Sequence, residues 1–275
     1  MSSVNPLDNL GLGSRPPAGL PLDIDGEPPP AAPEFFREGG IVFSEPEVEV
    51  LGDIKGQRIL HLLCGNGEET LSLVNMGATV LAVDEEVDEA RQLSSDAGLA
   101  AEFREGSAFD LDADLRNGAF DTVYSGFGIL VDLGDLDEWA AGLAAALKPG
   151  GRLVLYDEHP FAYIVGPGDS GGEVLAVTSS YFGVLGDDEV IEGEEEADEA
   201  LTEDEDVTEG ESESMGWTIG DVITALGENG LATVQMRELY SSPRFTTPLD
   251  DIDVDAQIIA RVPGILLLEA VLLPR

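Results

Sequence analysis

The segment Ile59-Leu60-His61-Leu62-Leu63-Cys64-Gly65-Asn66-Gly67 constrains this chain more than any other. Its apolar start reads as a buried strand that runs into a glycine turn. A helical pattern follows over 69–75, and a second apolar run over 79–83 ends on Asp84. Strand, tight glycine turn, helix and a carboxylate closing the next strand together build an edge that can hold a nucleoside. Glycine lets the backbone come close to a ligand, and a carboxylate accepts hydrogen bonds from ribose hydroxyls.

The alternation continues downstream. Strands are expected over 58–62, 79–84, 101–105, 122–124 and 152–156, with helices over 69–75, 87–97 and 136–147. Leu136, Trp139, Ala140, Leu143 and Leu147 fall on one helical stripe. Gly77, Gly98 and the run Pro149-Gly150-Gly151 mark helix ends. Strands alternating with helices of this length make right-handed βαβ units, hence a parallel sheet. A short helix is expected over 45–52 and another from Trp217 to Gly230, capped by Thr218. Two last strands, over 232–239 and 265–272, would add to the sheet edge.

Two stretches break the pattern. Residues 1–33 are rich in Pro and Gly and read as a tail or strap, with Phe35 and Phe36 anchoring its end. Residues 186–214 read as an acidic insertion: sixteen positions of 187–213 are Asp or Glu and none is basic, so this block is expected to be solvated. The domain proper is then 34–275.

Charge narrows the setting. Among 275 residues, 56 are acidic and 13 basic, a formal charge of -43, and Lys55 and Lys148 are the only lysines. Such a surface repels itself unless salt screens it; the Debye length falls to about 3 Å near 1 M. Acid excess with almost no lysine points to a halophile-like, high-salt cytoplasm. No basic patch exists to meet phosphates, so nucleic-acid partners are not expected. No apolar run approaches a membrane span and no secretory signal pattern is present. Cys64 is the only cysteine and the histidines are His61 and His159 alone, which leaves no metal cluster to expect.

The order of signals resembles the class I S-adenosylmethionine-dependent methyltransferases over about residues 40–275. Gly65 and Gly67 match that family's glycines, and Asp84 matches its ribose-binding acid. Phe120-Asp121-Thr122-Val123 followed by Leu147-Lys148-Pro149-Gly150-Gly151 is similar to its fourth strand and the turn before its fifth. The turn follows a His-Leu-x-Cys-Gly-x-Gly variant. His61 stands where an acid is usual, Leu63 where a glycine is common and Ser107 where an Asp often binds adenine. The resemblance implies a doubly wound, Rossmann-like α/β fold with a seven-stranded, mostly parallel sheet and helices on both faces. It implies S-adenosyl-L-methionine as cofactor, contacted by His61, Cys64, Gly65, Gly67, Asp84, Glu85, Ser107, Ala108, Phe109, Ser125 and Gly126.

No Asn-Pro-Pro-Tyr motif follows the fourth strand; Ser125-Gly126-Phe127-Gly128 stands there. A small-molecule acceptor is therefore expected, with His159, Tyr181 and Trp217 as candidate contacts. Glu158 and His159, after the fifth strand, are the candidate proton acceptors. Two other classes stay open: a non-catalytic binding protein on the same fold, and a nicotinamide-dependent oxidoreductase. Against the latter, Thr70 stands where its third glycine would fall.

Overall fold

A computed structural model describes residues 31–168, 174–182, 216–242, 244–250, 252 and 254–274. Residues 1–30 of the expected tail and the acidic insertion 186–214 lie outside the described residues.

The described residues open with α1 (Pro33–Arg37) and α2 (Glu45–Leu51). Then come β1 (Arg58–Leu62), α3 (Glu68–Asn75), β2 (Thr79–Asp84), α4 (Asp88–Ala97) and β3 (Glu102–Glu105). The second half adds β4 (Phe120–Ser125), α5 (Ile129–Asp132), α6 (Leu136–Ala146) and β5 (Leu147–Glu158). A two-stranded ribbon, β6 (Val165–Pro167) with β7 (Leu175–Val177), follows. The remaining elements are α7 (Ile219–Glu228), β8 (Leu231–Leu239), α8 (Ala256–Ile259) and β9 (Ile265–Leu272).

Seven strands form one sheet in the order β3-β2-β1-β4-β5-β9-β8. The first five run parallel, and β9 lies antiparallel between β5 and β8. Order reverses between β1 and β4, so the crevice of this sheet opens at their carboxyl ends. The expected mostly parallel, doubly wound sheet is what forms.

Both faces are covered, which is why the central strands are continuously apolar. Leu60, Leu62, Val123 and Leu155 pack with Trp139 and Leu143 of α6 and Leu226 of α7. Ile59, Val154 and Tyr124 face the other way, onto Val50 and Leu51 of α2 and Leu73 of α3. Phe36 is fully buried beside Leu71 and Ala97, whereas Phe35 stays exposed, so one of the two expected anchors holds. Thr218 caps α7 by accepting the Asp221 N–H.

Local departures have local causes. The Pro-Gly-Gly run expected as a turn is drawn into the start of β5, where the register with β4 shifts between Phe120 and Thr122. Gly150 takes φ +79 to permit it. The short elements α5, β6, β7 and α8 have too few residues for a periodic signal and were not expected.

Candidate functional site

The turn after β1 is built on backbone conformations that most side chains resist. Gly65 has φ +47 and Gly67 φ +89, and Leu63, at φ +53, is the described non-glycine residue in the left-handed region. That leucine stands where glycine is common and carries a cost of about 1–2 kcal/mol. At Gly67 a Cβ would sit 2.8 Å from the Ala90 Cβ, so glycine lets α3 close on α4. At Gly65 a Cβ would meet nothing within 4 Å, which leaves the ligand side of the turn open.

Asp84 ends β2 beside this turn. One of its oxygens accepts the Gly65 N–H at 2.8 Å, which orients the carboxylate; a carboxylate can accept further bonds. The two line an open cleft of about 610 Å³ with Asn66, Glu85, Glu86 and Glu105. Arg91 bridges Asp88 and Glu105 at its rim, at 3.2 and 3.0 Å. The cleft is strongly anionic and therefore suits a cation.

The loop after β4 packs against the turn after β1. Gly126 donates to the Leu62 carbonyl at 2.8 Å. A Cβ there would lie 2.5 Å from the Leu63 carbonyl, so only glycine allows this approach. Ser125 is fully buried and its hydroxyl has no partner among the described residues. Asp157, at the end of β5, holds the loop by accepting the N–H groups of Gly128 at 2.6 Å and Leu130 at 2.8 Å. Burial pushes its carboxyl up to about 7 even against these donors.

Beneath the turn lies a buried polar cluster. Arg244, from the connection between β8 and β9, pairs with Glu69 of α3 at 2.6 Å and with Glu47 of α2. Tyr124 of β4 lies within hydrogen-bond distance of both carboxylates, 3.1 Å from Glu47 and 3.0 Å from Glu69. Although burial works to raise it, Arg244 brings the Glu69 carboxyl down to about 2. Glu47 goes the other way, because burial outweighs Arg244 and the bond from Ser44.

The expected site residues divide. Gly65, Asp84 and Glu85 line the cleft; Gly67 packs on Ala90 and Gly126 on the Leu62 and Leu63 carbonyls, Ser125 is buried, and none of these three lines it. His61, expected to touch a ligand, is fully buried under the turn. Its Nδ1 lies 2.8 Å from the Thr70 hydroxyl and its Nε2 3.5 Å from Glu69, so it supports the turn from below. Cys64 is buried among Ala82, Val87 and Ala90, and burial pushes its thiol up to about 12; any ligand contact would be through its backbone. Ser107 caps a turn by accepting from Phe109 and Asp110, Ala108 is buried, and Phe109 packs on the core; none of the three lines the cleft.

The candidates after β5 are already engaged. His159 Nδ1 accepts the Phe161 N–H, so Nε2 carries the proton and donates to Glu238 at 3.0 Å. Burial lowers its pKa, and with both nitrogens bound it is a structural bridge rather than a free base. Glu158 accepts from the Tyr163 hydroxyl, and burial raises its carboxyl. Tyr181 and Trp217 dock the start of α7: the Tyr181 hydroxyl accepts from the Ile219 N–H at 3.3 Å, and the Trp217 indole donates to the Leu133 carbonyl at 2.7 Å. The cleft lining includes neither.

Sequence reading missed Glu47, Glu69, Tyr124, Asp157 and Arg244. Glu69 carried the one available signal, an acid in the first turn after Gly67.

Fold and site together define a Rossmann-like α/β protein with an acidic cleft on the carboxyl edge of its sheet. Residues 59–151 match the family model of a methyltransferase domain. A ubiquinone biosynthesis O-methyltransferase of Xanthomonas euvesicatoria is 36% identical over 106 residues, covering 38% of this chain and 44% of that protein. The chain spans about half the length of the curated relatives it matches. Its fold is that of an S-adenosylmethionine-dependent methyltransferase from Mesorhizobium loti (TM-score 0.57, 22% identity, 82% of this chain and 95% of that one). A putative S-adenosylmethionine-dependent methyltransferase from Listeria monocytogenes is equally similar (TM-score 0.59, 19% identity, 83% and 97%). Among the described residues no helix is long and apolar enough to cross a membrane, and no group of three or more potential metal ligands converges.

Proposed function

We propose that this protein transfers a methyl group from S-adenosyl-L-methionine to a small-molecule acceptor. The observation that carries the reading is the Asp84 carboxylate, fixed by the Gly65 N–H at the rim of an acidic cleft on the carboxyl edge of the sheet. The residues present fit the cofactor. An open glycine turn, an oriented carboxylate and anionic walls suit a ribose and a cationic sulfonium. The relatives' names, which include ubiquinone and demethylmenaquinone methyltransferases, support a small acceptor.

In this reading Asp84 accepts from the ribose hydroxyls. Gly65, Gly67 and Gly126 bring backbone against the methionine part, with Cys64 and Ser125 contributing from the same turns. Glu85 flanks the ribose, and Ser107, Ala108 and Phe109 lie toward the adenine. The cofactor supplies a methyl group on a charged sulfur, which leaves readily. The chain's work is therefore to orient the acceptor and keep water out. Asp157 fixes the loop after β4. Glu158, once it parts from the Tyr163 hydroxyl, is the carboxylate that takes a proton where the acceptor must lose one. A salt-rich cytoplasm is the setting that the charge of -43 supports.

Calorimetric titration of S-adenosylmethionine and S-adenosylhomocysteine in molar KCl tests this. Micromolar binding that Asp84→Ala weakens at least about tenfold, a loss of ~1.4 kcal/mol, is expected. Folded protein that binds neither compound refutes it.

A further inference from the structure

We propose that Glu69, reaching from α3 to the side of His61, is the carboxylate that binds the primary ammonium of the cofactor's amino-acid part, and that Arg244 positions it. The inference rests on the methyl-transfer reading above and adds a binding residue to it.

The turn after β1 and the loop after β4 meet at Gly126. A Cβ there would fall 2.5 Å from the Leu63 carbonyl, 3.1 Å from the Leu62 carbonyl and 3.4 Å from Glu69 Oε2. Three oxygens thus converge on one side of the Gly126 Cα. They do so at the carboxyl ends of β1 and β4, where the strand order reverses. Each has acceptor capacity to spare. The Leu62 carbonyl takes the Gly126 N–H and keeps its second lone pair. Among the described residues the Leu63 carbonyl accepts no hydrogen bond, and this leucine is held at φ +53. Backbone strain of this kind clusters at ligand sites.

Glu69 divides its two oxygens. Oε1 holds Tyr124 at 3.0 Å and Arg244 at 2.6 Å. Oε2 accepts no hydrogen bond among the described residues; the His61 Nε2 stands 3.5 Å away, beyond a normal bond. Arg244 therefore sets the carboxylate and leaves Oε2 for a ligand. Of the two acids that Arg244 grips, Glu69 keeps 8% side-chain exposure and Glu47 none, so only the former can be reached. Burial works to raise the Glu69 carboxyl, but Arg244 and His61 bring it down to about 2, and it meets a ligand as an anion. The three oxygens only accept, so their occupant must bring donors. A primary ammonium brings three N–H groups and the opposite charge.

The test is calorimetric, on the full chain in molar KCl, with three probes. They are S-adenosylhomocysteine, its analogue with hydrogen in place of the amino group, and methylthioadenosine, which lacks the amino-acid part. None carries a sulfonium, so the ammonium is read alone. Wild type is expected to bind S-adenosylhomocysteine at least about tenfold more tightly than the desamino analogue. Glu69→Gln keeps the shape of the side chain and leaves Glu47 to pair with Arg244. It should weaken S-adenosylhomocysteine by a similar factor and leave the other two probes within about twofold. Glu69→Asp, which keeps the charge but draws Oε2 back by one methylene, is read in the same way should the glutamine variant not fold. A merely structural role would weaken all three probes alike, and that result overturns the proposal. Equal binding of S-adenosylhomocysteine and its desamino analogue by wild type overturns it without any variant. Undiminished S-adenosylhomocysteine affinity in the folded variant does so too. In each of these cases S-adenosylhomocysteine still binds wild type, and the methyl-transfer reading stands. Failure of wild type to bind it removes both.

Discussion

Replacing Arg244 with methionine should cost this fold about as much as any single change to a polar side chain. The guanidinium is the cation facing two buried carboxylates, Glu47 at 0% and Glu69 at 8% side-chain exposure. Methionine fills similar volume, so the loss is chiefly of charge. Two routes give its size. Removing one partner of a buried pair costs about 3–5 kcal/mol. Separately, Arg244 is the main cause that carries Glu69 from 4.5 down to about 2. At about 1.4 kcal/mol per unit, that displacement amounts to about 3 kcal/mol. The sign with pH follows. A depressed carboxyl stabilises above its unfolded pKa, and that stability disappears as pH falls from about 4.5 through about 2. In the variant Glu69 loses its cation and is pushed up by burial, so acidification from pH 7 protonates it and recovers part of the loss. Urea unfolding at pH 7 and pH 5, in constant KCl, should give a difference from wild type of about 3 kcal/mol that shrinks at the lower pH. The double variant Glu69→Gln with Arg244→Met should lose less than the two single losses summed. A difference under about 1 kcal/mol, or one unchanged between the two pH values, refutes the reasoning.

Three further outcomes follow from the same geometry. Gly126→Ala puts a methyl 2.5 Å from the Leu63 carbonyl and 3.1 Å from that of Leu62. The β4 loop must part from the β1 turn, and both melting temperature and S-adenosylhomocysteine affinity should fall; an unchanged affinity would place the ligand elsewhere. Asp157, raised to about 7 by burial, lowers stability as pH rises from about 4 through about 7. Asp157→Asn should remove that part of the pH dependence while orphaning at least one N–H of Gly128 or Leu130, at about 1–3 kcal/mol; carbon-detected titration of the wild-type carboxyl with a midpoint below about 4 would contradict this. With a net charge of -43, the melting temperature should climb steadily from about 0.1 M to above 1 M KCl, and a flat response would remove the case for self-repulsion.

Much of the architecture was legible because it is written locally. The strand that ends at Leu62, the positive-φ glycines of the next turn and the carboxylate at 84 lie within one βαβ unit. The apolar runs and the 3.6-residue stripe of α6 report burial directly, so the seven-stranded sheet could be expected from them. The candidate site was legible where it is backbone and at the acid that closes β2. Gly67 and Gly126 are required by close approach and Gly65 by its positive φ, and glycine is visible in any sequence. His61 stands in an acid's place, and the strand pleat turns it under the turn toward Thr70, which the sequence pattern does not report. The partners of His159 come from its own turn and from β8, and the second of these is set by the sheet rather than by the local sequence.

The sequence by itself therefore determined the fold class, the glycine turn and the acid that closes β2. These depend on backbone conformation and on periodicity over neighbouring residues. Tertiary structure alone decided which charges are buried and what they meet. Arg244 and Glu47 are 197 positions apart, and Arg244 and Glu69 are 175 apart. Their local patterns mark Glu47 and Glu69 as first-turn acids of α2 and α3 but do not say that they are buried or that Arg244 meets them. They come together because β8 ends on the same edge as β5, and the energy of a buried pair depends on that desolvation rather than on residue type.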